Sequence, residues 1–263
     1  MKQECKQIRE NILKVSHCSG HGHIPTCFSV VEILYAIYDY IKHDPKNPKW
    51  KERDIVVLSK GHAALGHYCV LAEFGYFTID DVKSFGGFES NFGCHADRFK
   101  IPGIEASTGS LGHGISIAVG IALGCKLNNK KQKVYTIIGD GESNEGTVWE
   151  SLMVASHLGL DNFTVIYDNN MSHSRGLQIT NPEEKLKAFG CDVFDVDGHD
   201  VRAIRSILDS DDHQEKKPKG IVANTVKGYG SKTLCENQYE WHRKSPTNEQ
   251  LNMLLEELNA TSV

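Results

Sequence analysis

Residues 134–170 decide the fold, and they read VYTIIGDGESNEGTVWESLMVASHLGLDNFTVIYDNN. Residues 134–138 and 163–167 are short runs rich in β-branched and aromatic residues, which is typical of buried strands. Between them, residues 147–158 carry apolar side chains at helical spacing. A strand, a helix and a second strand in this order predict two parallel strands joined by a right-handed crossover.

The same alternation of strands and helices continues on both sides of this unit. Further strands are predicted at 54–58, 192–196 and 220–226, and further helices at 63–74, 111–127 and 201–208. Five strands separated by helices predict a mostly parallel sheet that is covered on both faces. We therefore expect an α/β protein with three layers, α/β/α, built as a single domain over residues 1–263.

Three local patterns complete the prediction. Residues 16–29 are rich in Gly, Ser and His and predict a loop, after which Ser29 and Glu32 form a capping box that begins a helix. Residues 75–108 show no regular hydrophobic periodicity and predict a long irregular segment. In a compact domain such segments more often have a function than not. Thr247 and Gln250 are predicted to begin a last amphipathic helix.

The composition excludes several classes of function. The 263 residues carry a net charge of -5, so nucleic acids and anionic membranes are poor partners. No two of the 8 cysteines are spaced C-x-x-C, which disfavours a structural zinc site, and the N-terminus has no apolar signal segment. We therefore expect a cytoplasmic protein. The 24 Gly and 13 His instead indicate close backbone approaches to a ligand and proton chemistry near neutral pH.

Polar residues follow both central strands at the point where each is predicted to end. Residues 139–142 read GDGE and residues 168–170 read DNN. Ligands of open parallel sheets bind at the carboxyl ends of the strands, where oxygens from Asp140 and Asn170 would suit Mg²⁺. The glycines would let a diphosphate lie against the backbone near a helix N-terminus. Either motif alone is more often an ordinary turn, but the two together favour a metal and diphosphate site.

Residues 139–170 resemble the thiamine diphosphate signature, GDG followed by NN, in the version found in transketolases. Other segments resemble parts of that family in the same order: GHIPTCFSVVEIL (22–34), RDIVVLSKGHAALGHY (53–68), GCHADRFKIPGIEASTGSLGHGISIAVG (93–120), TVKGYGS (225–231) and EWHRKSP (240–246). The resemblance covers nearly the whole chain and is to the N-terminal, diphosphate-binding domain, in the form in which that domain is a separate subunit. It implies the thiamine diphosphate-binding fold, with thiamine diphosphate and Mg²⁺ as cofactors.

The resemblance also implies which residues bind the cofactors. Asp140 and Asn170 would bind Mg²⁺, with the backbone carbonyl of Ser172 as a third protein ligand. Other residues that would contact the cofactor are His62, Gly109, Leu111, His113, Gly141 and Glu142. Within this set, His62 is similar to the histidine that hydrogen-bonds the diphosphate, and His113 stands where transketolases often have Gln.

On the substrate side, the implied catalytic residues are His23, His95, His242 and Glu145. The three histidines would orient a ketose and move protons, because a histidine with a pKa near 6.5 can donate or accept at neutral pH. Glu145, together with Glu150, would join a carboxylate network between two active sites. His21 lies two residues before His23, and the sequence leaves open which of the two faces the substrate.

The family's activating glutamate belongs to a pyrimidine-binding domain, which residues 1–263 do not resemble. The resemblance therefore implies a separate C-terminal subunit that carries this domain. Two such chains and two partner chains would form a heterotetramer that transfers a two-carbon ketol unit between sugars, which are expected to be phosphorylated. The donor sugar, the acceptor sugar and the identity of the partner are not fixed by the sequence.

Two alternatives stay open at this point. The chain could be a subunit of another thiamine diphosphate enzyme, such as a 1-deoxyxylulose-phosphate synthase or a 2-oxoacid dehydrogenase, or a non-catalytic cofactor-binding paralogue. The set of histidines favours sugar chemistry over oxoacid chemistry. Intact Asp140, Asn170, His62 and His95 disfavour a loss of catalysis.

Overall fold

A five-stranded parallel sheet lies at the centre of the computed structural model, which describes residues 1–173, 175–210 and 213–261. Its strands are β1 (Ile55–Leu58), β2 (Val134–Gly139), β3 (Phe163–Asn169), β4 (Asp192–Asp197) and β5 (Lys219–Asn224). The order across the sheet is β1-β2-β3-β5-β4, and each neighbouring pair is parallel. The α/β class and the five predicted strands are confirmed, with ends that differ from the prediction by one or two residues.

Helices cover both faces of this sheet. They are α1 (Gln3–Ser19), α2 (Ile24–Ser29), α3 (Val31–Tyr38), α4 (Ala64–Glu73), α5 (Ile79–Val82), α6 (His113–Leu127), α7 (Gly146–His157), α8 (Pro182–Ala188), α9 (Val201–Asp209), α10 (Lys232–Glu236) and α11 (Asn248–Ala260). On one face, α1 to α4, α9 and α11 contribute to the core, and on the other face α6, α7 and α8 do so. This is the predicted three-layer arrangement.

Strand β1 is apolar at every position because both of its faces are buried. Val56 and Leu58 pack into the core beneath α1 to α4, whereas Ile55 and Val57 pack into the core beneath α6 and α7. Successive side chains of a strand point to opposite faces, so a strand covered on both sides needs a continuous apolar run. Apolar runs of this kind indicate β1 and most of β2 and β3 in the sequence, whereas β4 alternates with aspartates and is only partly buried.

The predicted loop at 16–29 and the capping box that ends it are wrong. Helix α1 continues to Ser19, and Gly20 terminates it with φ of 68°. Helix α2 then occupies most of the predicted loop, and α3 begins after Val30 without a side-chain cap. The hydroxyl of Ser29 instead donates to Asp168, and Glu32 forms an ion pair with Arg9. Partners that are distant in the sequence have replaced the local cap.

The other two local predictions agree with the structure. Thr247 and Gln250 form the capping box of α11, with the Thr247 hydroxyl accepting from the Gln250 amide. Residues 75–108 are irregular apart from the short helix α5. Within the described ranges, no helix combines the length and the apolar character that crossing a membrane would require.

Candidate active site

A cavity of about 650 Å³ opens at the carboxyl ends of β1, β2 and β3. This edge of a parallel sheet is where ligands are expected to bind. The predicted site residues that line the cavity are His23, His62, His95, Gly109, Leu111, Asp140, Gly141, Glu142, Ser172 and His242. The fold therefore gathers residues from segments more than 200 positions apart around one space.

Oxygen atoms of Asp140 and Asn170 converge on Ser172 at one end of this cavity. Oδ1 of Asp140 accepts a hydrogen bond from the Ser172 hydroxyl at 2.5 Å, and Oδ1 of Asn170 accepts one from the Ser172 amide at 3.0 Å. Asp140 is 8% exposed and Asn170 is 3% exposed. Carboxylate, amide and carbonyl oxygens are the ligands that Mg²⁺ prefers. The chemistry of this donor set fits the predicted metal.

Asp168, which the sequence analysis did not single out, orients the Asn170 amide. The Asn170 Nδ2 donates to Asp168 Oδ2 at 2.9 Å and to the Ser29 hydroxyl at 3.0 Å. Because both amide protons have partners on that side, the amide oxygen turns toward Ser172. Asp168 is fully buried and also accepts from Lys60 Nζ at 2.5 Å. The sequence offered one reason to select Asp168, which is that it is the first residue of the DNN motif.

Two glycines keep the floor of the cavity open. A Cβ atom at Gly141 would lie 2.7 Å from Cδ2 of His173, and one at Gly109 would lie 2.8 Å from Cδ2 of His95. Gly109 also has φ of 149°, which side chains rarely adopt. Any larger residue would push a histidine aside and narrow the cavity. The glycines thus leave room for a ligand to approach the backbone, as a diphosphate group requires.

Glu142 forms hydrogen bonds to residues at the ends of β1 and β2 and at the start of α6, beside the cavity. Its carboxylate accepts from the Ser59 hydroxyl at 2.5 Å, from the Gly112 amide at 2.9 Å and from the Gly139 amide at 3.2 Å. Burial raises the pKa of this carboxyl group above its ordinary value, and these hydrogen bonds oppose the rise. Its bonds fix the ends of β1 and β2 and the start of α6, all of which border the cavity.

Three histidines stand together on another wall of the cavity. The ring centroid of His23 lies 5.5 Å from that of His62 and 5.2 Å from that of His242. Burial is the main cause that lowers their pKa values, to about 4 for His23 and to about 2 for His62, and it lowers the pKa of His242 as well. Nearby cations act in the same direction. At neutral pH each ring is uncharged and offers one donor and one acceptor, which suits sugar hydroxyl and carbonyl groups.

The structure shows which of His21 and His23 lines the cavity. His23 lines the cavity, whereas the ring of His21 packs beside Gly86, where an added Cβ would lie 2.7 Å from its Cδ2. The chain turns between the two histidines at Gly22, which has φ of 147°. This turn directs the two rings to different surroundings.

Other predicted residues lie outside the cavity. His113 is exposed and its Nδ1 lies 3.1 Å from the Leu111 carbonyl oxygen, because α6 begins there and turns the ring outward. Glu145 is exposed at the N-cap position of α7. Asn170 does not line the cavity, but its side chain is hydrogen-bonded to the amide of Ser172, which does. The structure thus separates these residues from the histidine group.

Several cavity residues were not predicted from the sequence: Thr26, Lys60, His173, Lys227, Tyr239 and Arg243. Lys60 directly precedes the glycine and histidine of the SKGH turn, and Lys227 lies within TVKGYGS. Both lysines are buried, at 1% and 5% exposure. Both lysines could have been identified from the sequence, because each is a charged residue within a segment that resembles part of the family's binding site.

Comparison with known proteins identifies the family to which the chain belongs. The family model described as transketolase, thiamine diphosphate binding domain, matches residues 2–258. An apulose-4-phosphate transketolase subunit from Actinobacillus succinogenes is 38% identical, and the alignment covers 98% of this chain and 95% of that protein. The 6-deoxy-6-sulfo-D-fructose transketolase subunit SqwG of Clostridium sp. (strain MSTE9) is 37% identical, with coverage of 98% and 96%.

Solved structures similar to this chain include two transketolases. That of Campylobacter jejuni superimposes with a TM-score of 0.88 at 28% identity, and that of Leishmania mexicana with a TM-score of 0.86 at 29% identity. Each superposition covers 98% of this chain but only 42% and 41% of those longer chains, respectively. The present chain therefore spans about two-fifths of the length of these solved relatives.

Proposed function

Because the chain belongs to the transketolase N-terminal, thiamine diphosphate-binding domain family, we propose that it is the N-terminal subunit of a transketolase. It would transfer a two-carbon ketol unit from a ketose to an aldose with thiamine diphosphate and Mg²⁺. One observation carries this proposal: Asp140 and Ser172, to which Asn170 is hydrogen-bonded from outside the cavity, line the same cavity as three uncharged histidines.

The metal end of the cavity would hold the cofactor. Side-chain oxygens of Asp140 and Asn170 and the backbone carbonyl of Ser172 would bind Mg²⁺, which completes its shell with phosphate oxygens and water. The open floor at Gly109 and Gly141 leaves space for the diphosphate. When bound, thiamine diphosphate supplies the nucleophilic carbon that cleavage of a ketose needs.

The histidines would orient the sugar. With pKa values of about 4 for His23 and about 2 for His62, these rings are neutral at pH 7 and bind hydroxyl groups as donors or acceptors. His95 and His242 line the same space, so a ketose carbonyl and its neighbouring hydroxyls would meet ring nitrogens on more than one side. This placement also displaces water from around the reacting carbons.

A partner subunit would cover the exposed apolar face of α6 and α7. Ile117, Met153 and Val154 are 43%, 58% and 48% exposed on these two helices. Exposed apolar side chains on two helices that pack against each other are common at protein interfaces. Glu145 is the N-cap residue of α7 and Glu150 lies within α7. Both are exposed, as an intersubunit carboxylate network would require. The relatives are themselves named as subunits, which supports a partner subunit; the assembly we propose is a heterotetramer of two such chains and two partner chains.

The dependence on a partner is tested by activity. We expect the purified chain with Mg²⁺ and thiamine diphosphate to show no ketol transfer, and to gain activity when combined with the chain that co-purifies from the source cell. Mass spectrometry would identify that chain. Full turnover by the purified chain alone would disprove partner dependence. Phosphorylated sugars are the first substrates to assay, since one relative is named for a sugar phosphate and another for a sulfonated sugar.

The metal assignment is tested by Asp140→Ala. This substitution removes a carboxylate ligand, and we expect Mg²⁺-dependent binding of thiamine diphosphate to the complex to fall below detection in calorimetry. Asp161→Ala is the matched control, because Asp161 is a surface carboxylate paired with Lys126 outside the cavity. Unchanged cofactor affinity in Asp140→Ala would contradict the assignment.

A further inference from the structure

A second cleft, separate from the cavity at the strand ends, lies where residues 48–53 meet residues 98–105. It encloses about 390 Å³, which is within the range of small-molecule binding sites. No residue that the structure describes lines both this cleft and the first cavity. The cleft is therefore a distinct place where a ligand could bind, and the charges around it indicate which kind.

Four of the residues that line this cleft are cations, but only one of them is paired with a carboxylate. Nε and Nη2 of Arg53 donate to the two carboxylate oxygens of Glu105, each at 2.6 Å. Among the described residues Glu105 is the only carboxylate on the lining, and this pair neutralises it. Lys49, Arg98 and Lys100 are exposed and have no carboxylate partner within the described ranges. The cleft thus presents three positive charges on a protein whose net charge is -5.

Hydrogen bonds fix the backbone that carries two of these cations. The Arg98 amide donates to the Ser107 hydroxyl oxygen at 3.1 Å. The Phe99 amide donates to Oδ1 of Asp97 at 2.9 Å. The Lys100 amide donates to the Asp97 carbonyl oxygen at 3.1 Å. Because all three consecutive amides have partners, the side chains extend from a defined turn, and a ligand would lose less affinity to the ordering of this segment.

Phe99 adds an exposed aromatic ring to the same cleft. The residue is 87% exposed, and the guanidinium carbon of Arg98 lies 5.4 Å from the centroid of its ring. Ile101 and Ile104 also line the cleft and are 3% and 7% exposed, so part of the lining is apolar. An aromatic face beside cations suits a ligand that combines a flat ring with anionic groups.

We propose that this cleft binds a nucleoside polyphosphate. The base would stack on Phe99, because nucleic-acid bases stack on exposed aromatic side chains. The phosphate oxygens would accept charge-assisted hydrogen bonds from Lys49, Arg98 and Lys100. An inorganic anion would leave the ring unused, and an uncharged nucleoside would leave the three cations unused. The proposal is independent of the function proposed above, since no residue of the first cavity takes part in it.

The test is calorimetry on the full chain with ATP as the probe, in the presence of a metal chelator so that no Mg²⁺ site contributes. We expect ATP to bind more tightly than adenosine or inorganic triphosphate, because each of these lacks one of the two recognised groups. Arg98→Gln should weaken ATP binding roughly fivefold or more, since it removes a charge-assisted hydrogen bond. Phe99→Ala should weaken ATP binding by a similar factor and leave the affinity for inorganic triphosphate unchanged.

Lys51→Gln is the matched control and should bind ATP as the wild type does. Lys51 is an exposed cation two residues from Lys49 in the sequence, but it does not line the cleft. Circular dichroism on each variant establishes that it is folded.

Four results would overturn the proposal. The first is a dissociation constant for ATP above about 1 mM in the wild-type chain. The second is wild-type ATP affinity in Arg98→Gln or Phe99→Ala, and the third is equal affinity of the wild type for ATP and inorganic triphosphate. The fourth is an equal loss in Lys51→Gln, which would show only an effect of net charge. The outcome for Asp140→Ala tests the metal site separately, so either proposal can fail while the other stands.

Discussion

Two groups of buried charges differ in how completely they are neutralised. In the core between α1 and α3, Arg9 binds Glu32 through two hydrogen bonds of 2.5 and 2.6 Å, and His199 lies 3.0 Å from the same carboxylate. In the cavity, Lys60 is paired with Asp168, while Lys227 has no described partner. The core pair is complete within the protein, and the cavity group is not.

This difference distinguishes buried charges that stabilise the fold, such as those of Arg9 and Glu32, from a buried charge such as that of Lys227, which the protein does not neutralise. Removing one partner of a complete buried pair leaves the other charge buried and unpaired, which strongly destabilises a protein. Removing a charge that has no partner leaves nothing unpaired. The cost of each substitution in folding free energy therefore distinguishes the two groups by experiment.

Arg9→Met is expected to have the largest effect. Both Arg9 and Glu32 are 0% exposed, so the substitution leaves a buried carboxylate without its guanidinium. We expect the free energy of unfolding to fall by about 3–5 kcal/mol, measured by urea denaturation. The double variant Arg9→Met, Glu32→Met is the control, and it should recover most of the loss because no charge is then left alone. A loss below about 1 kcal/mol in the single variant would contradict the comparison.

Acid should weaken the same pair. Burial alone would raise the pKa of Glu32, but the charge and hydrogen bonds of Arg9, with help from His199, hold it at about 2, below the ordinary value of 4.5. A carboxyl group with a lowered pKa in the folded state contributes its stability above the unfolded pKa and loses it as the pH falls. We expect a loss of about 3 kcal/mol from this group between pH 4.5 and 2.

Denaturation curves across this pH range would check that expectation. The control is Glu32→Gln, which cannot titrate at this position and should show a shallower decline in unfolding free energy. Equal slopes in the two proteins would show that Glu32 does not carry the acid sensitivity.

Much of the fold could be predicted because the central strands are largely apolar runs with polar residues at their ends. The runs at 134–138 and 163–167 identify β2 and β3, and their ends bring Asp140 and Asn170 to one edge of the sheet. These features depend on residues that are neighbours in the sequence. The helix starts at Ser29 and Thr247 show the limit, since both match a capping pattern but only Thr247 forms a cap.

The rest depended on partners that the sequence does not reveal. Ser29 donates to Asp168, which is 139 residues away, and Lys60 pairs with the same carboxylate across 108 residues. No local pattern shows that Lys60 is paired while Lys227 is not. The same reason explains why His21 and His23 could not be distinguished, since the difference depends on the packing of His21 beside Gly86.

Lys60→Met should have an intermediate effect on stability. It removes the cation beside Asp168, but that carboxylate keeps hydrogen bonds from Ser29, Asn170 and Thr225. Loss of Lys60 also relieves its repulsion of Lys227. We expect the unfolding free energy to fall by about 2–3 kcal/mol, less than in Arg9→Met. A loss as large as that of Arg9→Met would mean that the cavity pair is as essential to the fold as the core pair.

Lys227→Met should have the smallest effect and is the matched comparison for Lys60→Met. The two lysines line one cavity and are similarly buried, but only Lys60 has a carboxylate partner. Methionine keeps most of the volume of the side chain and removes a charge whose burial is unfavourable, so the unfolding free energy should stay the same or rise by up to about 1 kcal/mol in ligand-free protein. Urea denaturation without phosphate or pyrophosphate gives this value. A loss of about 2 kcal/mol or more would show that Lys227 stabilises the fold directly, and the distinction between the two groups of charges would then fail.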